Sequence, residues 1–295
     1  MRINWVQLFG ILALFMPFQM AHAATNWPEA LREQLLRINT VEWRLRQAAN
    51  PSCPAHSAGF GWAIDHLGAY AESDRSFVQA STGLGYLPQI IAIADGSPAQ
   101  LADFHVSDEI QSINGVPLDQ IFPDLENGSL IADRFVSLTE KLPVGVPSQF
   151  GIIRNGQHHT ISVSPISTCA ARIYLKIKNG IDAYSDADGI ALSTGFMQFT
   201  RNDDEVALIA GHELAHIVLR DELSRNNIRG KDKEDAADKL GAHLALCAGY
   251  NPTIALDYWR RFDKQDWIGM FRSWDHRSSK SRLKMLQKFT SSDTC

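Results

Sequence analysis

The sequence predicts an α+β fold in two parts: a mainly helical region with a small edge sheet, and a β-rich region spliced in ahead of it. Three observations carry this. From Asn202 to Arg220 apolar residues fall too densely for a surface helix, so a buried one is expected. A second helical run (Ala236, Leu240, Ala242, Leu244, Ala245, Leu246) follows it and ends at Gly249, a helix-stop signal. From about Gly59 to Pro165 the pattern changes to short alternating runs broken by Gly, Pro and Asn-Gly. With 45% hydrophobic and 21% charged residues, 295 residues give an ordinary globular composition with room for one or two domains. The net charge of −5 provides no basic field for nucleic acid.

Taken in order, residues 1–23 form an export signal. Arg2 supplies the positive start, Trp5 to Phe18 an apolar run broken by Pro17, and Ala21-His22-Ala23 a small-x-small cleavage site. Processing after Ala23 is expected. No cysteine precedes Cys53, which excludes a lipoprotein anchor there, and no later run reaches the roughly 18 apolar residues of a membrane span. A soluble protein in an oxidising compartment follows, a bacterial periplasm fitting best.

Asn26-Trp27-Pro28 opens a helix whose stripe (Leu31, Leu35, Ile38, Val41, Leu45, Ala48) runs until Asn50-Pro51. It reads as a packing helix without chemistry, within an N-terminal segment 24–54. The next segment, 55–166, is the β-rich part. Phe77 to Ala80, Gln89 to Ala94, Glu109 to Ile113, Ser148 to Arg154 and His159 to Val163 read as strands, with Asn114-Gly115 and Asn155-Gly156 as tight turns. The ordered set Gly83-Leu84-Gly85-Tyr86, Gly96-Ser97-Pro98-Ala99, Asp108-Glu109-Ile110 and Ile113-Asn114-Gly115-Val116-Pro117 resembles a PDZ domain. The resemblance implies that Gly83, Leu84, Gly85 and Tyr86 present backbone N–H groups to a peptide carboxylate, ahead of an edge strand that pairs with the peptide. Pro88 on that strand lacks an N–H, and Ser107 stands where a glycine is usual. A PDZ fold used only as a scaffold is therefore the competing reading.

Segment 167–295 begins with a strand, Arg172 to Ile177, and a second follows at Gly189 to Thr194. Asn202 is an N-cap, and Glu205 three positions on completes a capping box. Inside that helix lies His212-Glu213-Leu214-Ala215-His216. Residues four apart share a helix face, so both imidazoles reach one ion, while Glu213 projects beside it and can take a proton from a bound water. Glu234 on the next helix can supply a third ligand, leaving a fourth position for water, as a catalytic Zn²⁺ site requires. Asp238, one turn on, shares its face and can orient a ligating histidine. Gly and His at three and six residues past His216 would mark the extended-histidine class; Leu219 and Glu222 stand there instead. His56, His66, His105, His158, His159 and His243 read as surface or core residues.

His212, Glu213 and His216, then Glu234-x-x-Ala237-Asp238 and Gly249-Tyr250-Asn251-Pro252, resemble the HtpX and CAAX-prenyl-protease family of zinc peptidases, metallopeptidase family 48. The likeness runs from about Thr168 to Gln287, taking in Ile181-Asp182-Ala183-Tyr184, Gly189 to Gly195, and a late His276 and Arg282. It implies a zincin-type peptidase domain. His276 would stabilise an oxyanion or enter the fourth metal position, Arg282 would steady the oxyanion, and Ile190 to Ser193 would be the edge strand that aligns substrate. Asp182 replaces the family's usual asparagine, Arg277 replaces the proline after His276, and the membrane helices of many relatives are absent.

Four cysteines permit three pairings. Cys53–Cys169 with Cys247–Cys295 is the expected one, because the first bond would clamp the ends of the inserted β-rich module; buried free thiols are the alternative. After Gly249, Asn251-Pro252 caps a third helix through Trp259, the aromatics Trp267, Phe271 and Trp274 read as core, and a last helix carries Arg282. The expectation is a periplasmic zinc endopeptidase acting on protein or peptide substrates in envelope quality control, with one Zn²⁺ per chain and a C-terminal peptide as a further ligand of the PDZ-like part. From another functional class, a non-catalytic peptide-binding or chaperone-like factor with a structural zinc is the alternative, and Glu213 has no use in it.

Overall fold

The computed structural model describes residues 26–125, 128–186, 189–225, 228, 230–265, 278–287 and 295. The export signal, His276, Arg277 and the aromatics Trp267, Phe271 and Trp274 lie outside the described residues.

Helix α1 (Trp27–Ala49) begins with Pro28 in its first turn, where a missing N–H costs nothing. Its stripe of Ile38, Val41, Leu45 and Ala49 is buried, and so, on other faces, are Asn39, Trp43 and Arg46. The helix is therefore covered on more than one side. It packs on the two long helices 203–225 and 230–247 and also on the large sheet. Strand β1 (His56–Gly59) and β2 (Trp62–Asp65) follow, then helix α2 (Glu72–Thr82). Phe77 to Ala80 therefore lies in a helix, not a strand. The reason is local: Glu72 and Asp74 charge the first turn favourably, and Gly83 ends the last one at φ 72°, a left-handed cap.

Next come β3 (Gln89–Ile93), α3 (Pro98–Leu101), β4 (Glu109–Ile113), β5 (Val116–Pro117), α4 (Leu118–Ile121), α5 (Ile131–Thr139), β6 (Ser148–Arg154), β7 (Gln157–Val163) and β8 (Ile166–Cys169). One sheet runs β2-β3-β4-β6-β7, with β5 paired to β4. Both Asn-Gly turns join antiparallel partners, and all four of their residues have positive φ, as a two-residue hairpin requires. Ser107 also has a positive φ, 77°, which accounts for a glycine being the ordinary choice there. The core of this part joins Phe60, Trp62, Phe104, Phe135 and Phe150 to Ile90, Ile110 and Ile152. Strands β1 and β8 pair antiparallel, His56 against Cys169 and Gly59 against Ile166, so the β-rich part enters and leaves at one place. The Cys53–Cys169 disulfide closes that junction.

The rest comprises β9 (Arg172–Lys176), β10 (Ala183–Ser185), β11 (Gly189–Ser193), α6 (Thr194–Phe199), α7 (Asp203–Arg225), α8 (Gly230–Cys247), α9 (Pro252–Ala255), α10 (Asp257–Gln265) and α11 (Ser279–Leu286). The expected third helix is thus broken at Leu256 into α9 and α10. Their small sheet has the order β10-β11-β9. A single apolar core gathers one face of α1, β9, β11, α6, α7, α8 and the C-terminal helices, with Leu45, Leu192, Phe196, Val206, Ala207 and Ala210 at most 1% exposed. A second disulfide joins Cys247, at the end of α8, to Cys295.

Candidate metal centre

Helix α7 starts as its sequence dictates. Asn202 Oδ1 accepts from Glu205 N at 3.0 Å, and Glu205 Oε2 accepts from Arg201 N at 2.9 Å. Arg261 of α10 closes on the same Glu205 carboxylate at 2.7 and 2.8 Å, fixing the start of the helix to the C-terminal layer.

Two turns later α7 crosses α8 at glycines. A Cβ on Gly241 would stand 2.5 Å from His212 N, and one on Gly211 would stand 2.7 Å from Gly241 O. Real Cβ atoms do not come so close to backbone, so the two glycines permit a contact that places Glu234 and Asp238 against His212. Neither glycine was singled out in the sequence; their signal was position, one immediately before His212 and one two turns after Glu234.

At the crossing, His212, His216 and Glu234 offer donor atoms that all lie within 4.8 Å of one another. The imidazole Nε2 atoms are 3.1 Å apart, and Glu234 oxygens lie 3.4 Å from His212 Nε2 and 3.6 Å from His216 Nε2. Ligands at tetrahedral positions on an ion with bonds near 2.05 Å are about 3.3 Å apart, so the two imidazoles and Glu234, which approaches His212 through Oε2 and His216 through Oε1, lie close to the spacing a zinc ion needs. Two imidazoles and a carboxylate are also the chemistry of a catalytic rather than a cysteine-rich structural site.

Behind the ligands, Asp238 Oδ1 lies 2.8 Å from His212 Nδ1, the ring nitrogen turned away from Glu234. Arg282 of α11 donates from Nε to Asp238 Oδ2 at 2.7 Å and from a terminal nitrogen to Asp238 Oδ1. It stacks 3.8 Å above the Trp259 ring and is 5% exposed. Arg282 therefore sits behind His212, bound to Asp238. Burial works against charge on His212, but hydrogen bonds that the imidazolium donates to the Asp238 and Glu234 carboxylates outweigh it and raise the metal-free imidazole to about 9. Burial likewise opposes the charge of Asp238, yet His212 and Arg282 bring its carboxyl below the ordinary value.

Glu213 follows His212 on α7. Its Oε2 accepts a hydrogen bond of 2.8 Å from Ser185 Oγ at the end of β10. Strand β11 is paired on both sides, antiparallel to β10 and parallel to β9, so Ile190 to Ser193 has no free edge for a substrate strand. Among the described residues, β10, Ala183–Ser185, pairs on one side only and lies beside α7. Gly83, Leu84, Gly85 and Tyr86 lie in the turn between α2 and β3. Gly83 caps α2, Leu84 is buried, and Gly85 O accepts from Leu67 N at 2.7 Å. The strand after that loop, β3, is flanked by β2 and β4, and the edges of the sheet are β2 and β7. Among the described residues, the remaining histidines take no part in the donor cluster; His66 is wholly buried with Nε2 2.8 Å from Gly128 O, and His243 faces Cys247.

Residues 170–231 match Peptidase family M48, a stretch that spans β9 to the start of α8 and includes His212, Glu213 and His216 but stops short of Glu234. No curated protein matches the chain. Among solved structures, similarity is found to an HtrA-type protease AlgW with decapeptide, at 15% identity over 38% of this chain and 30% of that one, with a TM-score of 0.28. A serine endoprotease from Yersinia pestis is similar at 19% identity over 27% and 25%, with a TM-score of 0.21. The chain thus spans less than a third of either structure. The family match supports a peptidase.

Proposed function

We propose that this chain, whose segment 170–231 matches peptidase family M48, is an exported zinc-dependent endopeptidase with an inserted PDZ-like module. The observation that carries the reading is that donor atoms of His212, His216 and Glu234 lie within 4.8 Å of one another, with Glu213 following His212 on α7. These three hold Zn²⁺. When bound, the ion supplies a Lewis acid for a peptide carbonyl and lowers the pKa of a water toward about 7. Glu213 takes a proton from the attacking water and passes it to the leaving amine. Asp238 keeps His212 in the tautomer that turns Nε2 toward the ion, and Arg282 keeps Asp238 ionised.

The module is read as 55–166, after an N-terminal segment 24–54 and before a peptidase domain 167–295. The pairing of β1 with β8 brings the two ends of this module together, the 166/167 boundary falling within β8. Any peptide strand taken up by the module adds to an edge of its sheet, β2 or β7, and not along β3, the strand after Gly83 to Tyr86. The two disulfides suit an oxidising compartment, which we take to be the periplasm. No described helix is long and apolar enough to cross a membrane. The test is metal analysis of purified protein together with peptide mapping of digests. Wild type should carry one zinc and cleave; Glu213→Gln should keep zinc and fold but not cleave. Unchanged proteolysis by that variant would overturn the mechanism.

A further inference from the structure

The hydroxyl of Ser185 is aimed at the one acidic group that the reaction needs free of the metal. Strand β10 is short, but both of its ends are tied. On one side, Ser193 N donates to Asp182 O and Asp182 N donates to Ser193 Oγ, each at 3.0 Å, while Ser193 Oγ donates to Gly180 O at 2.6 Å. On the other, Asp186 N donates to Gly189 O at 3.0 Å and Gly189 N to Asp186 Oδ1 at 3.0 Å. Between them Ala183 pairs with Leu192 and Ser185 with Ile190. Tyr184 is exposed and accepts from Lys176 Nζ at 3.0 Å, so the alternation of the strand sends Ser185 the other way, toward α7. There its Oγ donates to Glu213 Oε2 at 2.8 Å.

We infer that Ser185 is a positioning residue for Glu213: it holds one carboxylate oxygen and so aims the other at the water proton. This rests on the reading of Glu213 as general base. A glutamate on a helix face has three rotatable side-chain bonds, and only a small fraction of its rotamers bring the carboxylate beside the ion. A serine on an edge strand anchored at both ends supplies the missing constraint from outside the helix. Ser185 reaches neither His212, His216 nor Glu234 among its hydrogen bonds, so its removal leaves the metal ligands intact. The hydroxyl acts through Glu213 and forms no bond to substrate in this scheme.

The experiment compares Ser185→Ala, Ser185→Thr and Glu213→Gln in the full mature chain. Zinc content and melting temperature should match wild type in all three. A hydrogen bond to a charged group, once lost, corresponds to about a tenfold fall in rate, so Ser185→Ala should lower kcat about tenfold with KM unchanged. Ser185→Thr, which keeps the hydroxyl, should recover most of it. Independently of activity, a crystal structure of metal-free Ser185→Ala should show the Glu213 carboxylate moved from its wild-type position. The inference falls if Ser185→Ala keeps full kcat, if the loss is confined to KM, if Ser185→Thr is as slow as Ser185→Ala, or if Glu213 stays in place. Glu213→Gln separates the two levels. Should it cleave normally, the general-base reading itself fails; should it be inactive while Ser185→Ala is fully active, only the role of Ser185 is lost.

Discussion

Asp238 stands between His212 and Arg282, 2.8 Å from the imidazole Nδ1 on one oxygen and 2.7 Å from the guanidinium Nε on the other. The three groups come from α7, α8 and α11, and all are nearly excluded from solvent. A carboxylate on the far ring nitrogen fixes the imidazole and raises its basicity toward a metal. Replacing Asp238 by Ala should therefore lower zinc affinity by roughly 10- to 100-fold, read by competition with a chromogenic chelator. Unchanged affinity would remove Asp238 from the site's supporting structure.

Arg282 tests the same geometry from its other end. Truncation to Met keeps the apolar contact with Trp259 but leaves the Asp238 carboxylate with His212 as its main partner. Breaking a buried pair on one side costs about 3 kcal/mol, so Arg282→Met should lower stability toward urea by about that amount. A residue acting on the oxyanion would instead lower kcat and leave the urea midpoint where it was. The two measurements decide between these roles.

The ligand helix was legible because its determinants are local. Asn202 and Glu205 announce its start, and the four-residue spacing of His212 and His216 is a property of any α-helix. The Asn-Gly turns and the Asn251 cap were readable for the same reason. What the sequence could not give was decided by partners distant in the chain. Whether β10, β11 or β3 is an edge depends on which strands flank it, and Gly83 to Tyr86 looks alike whether it caps a helix or cradles a carboxylate. Arg46 belongs with these, since its partners lie between 4 and 123 residues away. The stripe of α1 gave no hint that a charged residue is buried on it.

The crossing of α7 and α8 makes a prediction about glycine. A methyl group on Gly241 has nowhere to go, because the nearest atoms are the backbone of His212. Gly241→Ala should force the helices apart, at a cost of roughly 1–3 kcal/mol, and separate Glu234 from the two imidazoles. The expected result is a lower melting temperature together with weaker zinc binding. Loss of stability with full metal affinity would show that α8 can shift without disturbing the ligands.

Metal uptake should release a proton. The metal-free His212 titrates near 9, above the ordinary 6.5, so below about 9 zinc must displace a proton from it. Calorimetry at pH 7.5 in two buffers of different ionisation enthalpy should report about one proton released per zinc, and affinity should fall as the pH is lowered. For the metal-free protein the sign is reversed. A raised folded-state pKa contributes stability that is full below 6.5 and lost as pH rises through 9. Removing zinc with a chelator should thus leave a protein whose melting temperature drops across that window, whereas the zinc-loaded form should not show the drop.

Arg46 holds the junction between α1 and the β-rich part. Its guanidinium donates to Cys169 O at 2.7 Å, Ser57 Oγ at 2.7 Å, Glu140 Oε1 at 2.9 Å and Glu42 Oε1 at 3.1 Å. It thus joins α1 to β1, β8 and the end of α5 with one side chain that is 9% exposed. Burial already pushes the Glu42 carboxyl above its ordinary value, with Arg46 and Arg172 working against that shift. Replacing Arg46 by Met would leave two largely buried carboxylates facing each other and the Cys169 carbonyl without its donor. Stability should fall by about 3–5 kcal/mol. Since Arg46 touches no ligand of the metal, zinc stoichiometry should stay at wild-type level under conditions where the variant is folded. Urea unfolding followed by tryptophan fluorescence, alongside metal analysis of the same sample, checks both halves. A variant as stable as wild type would mean that the disulfide and the β1–β8 pairing alone secure the junction.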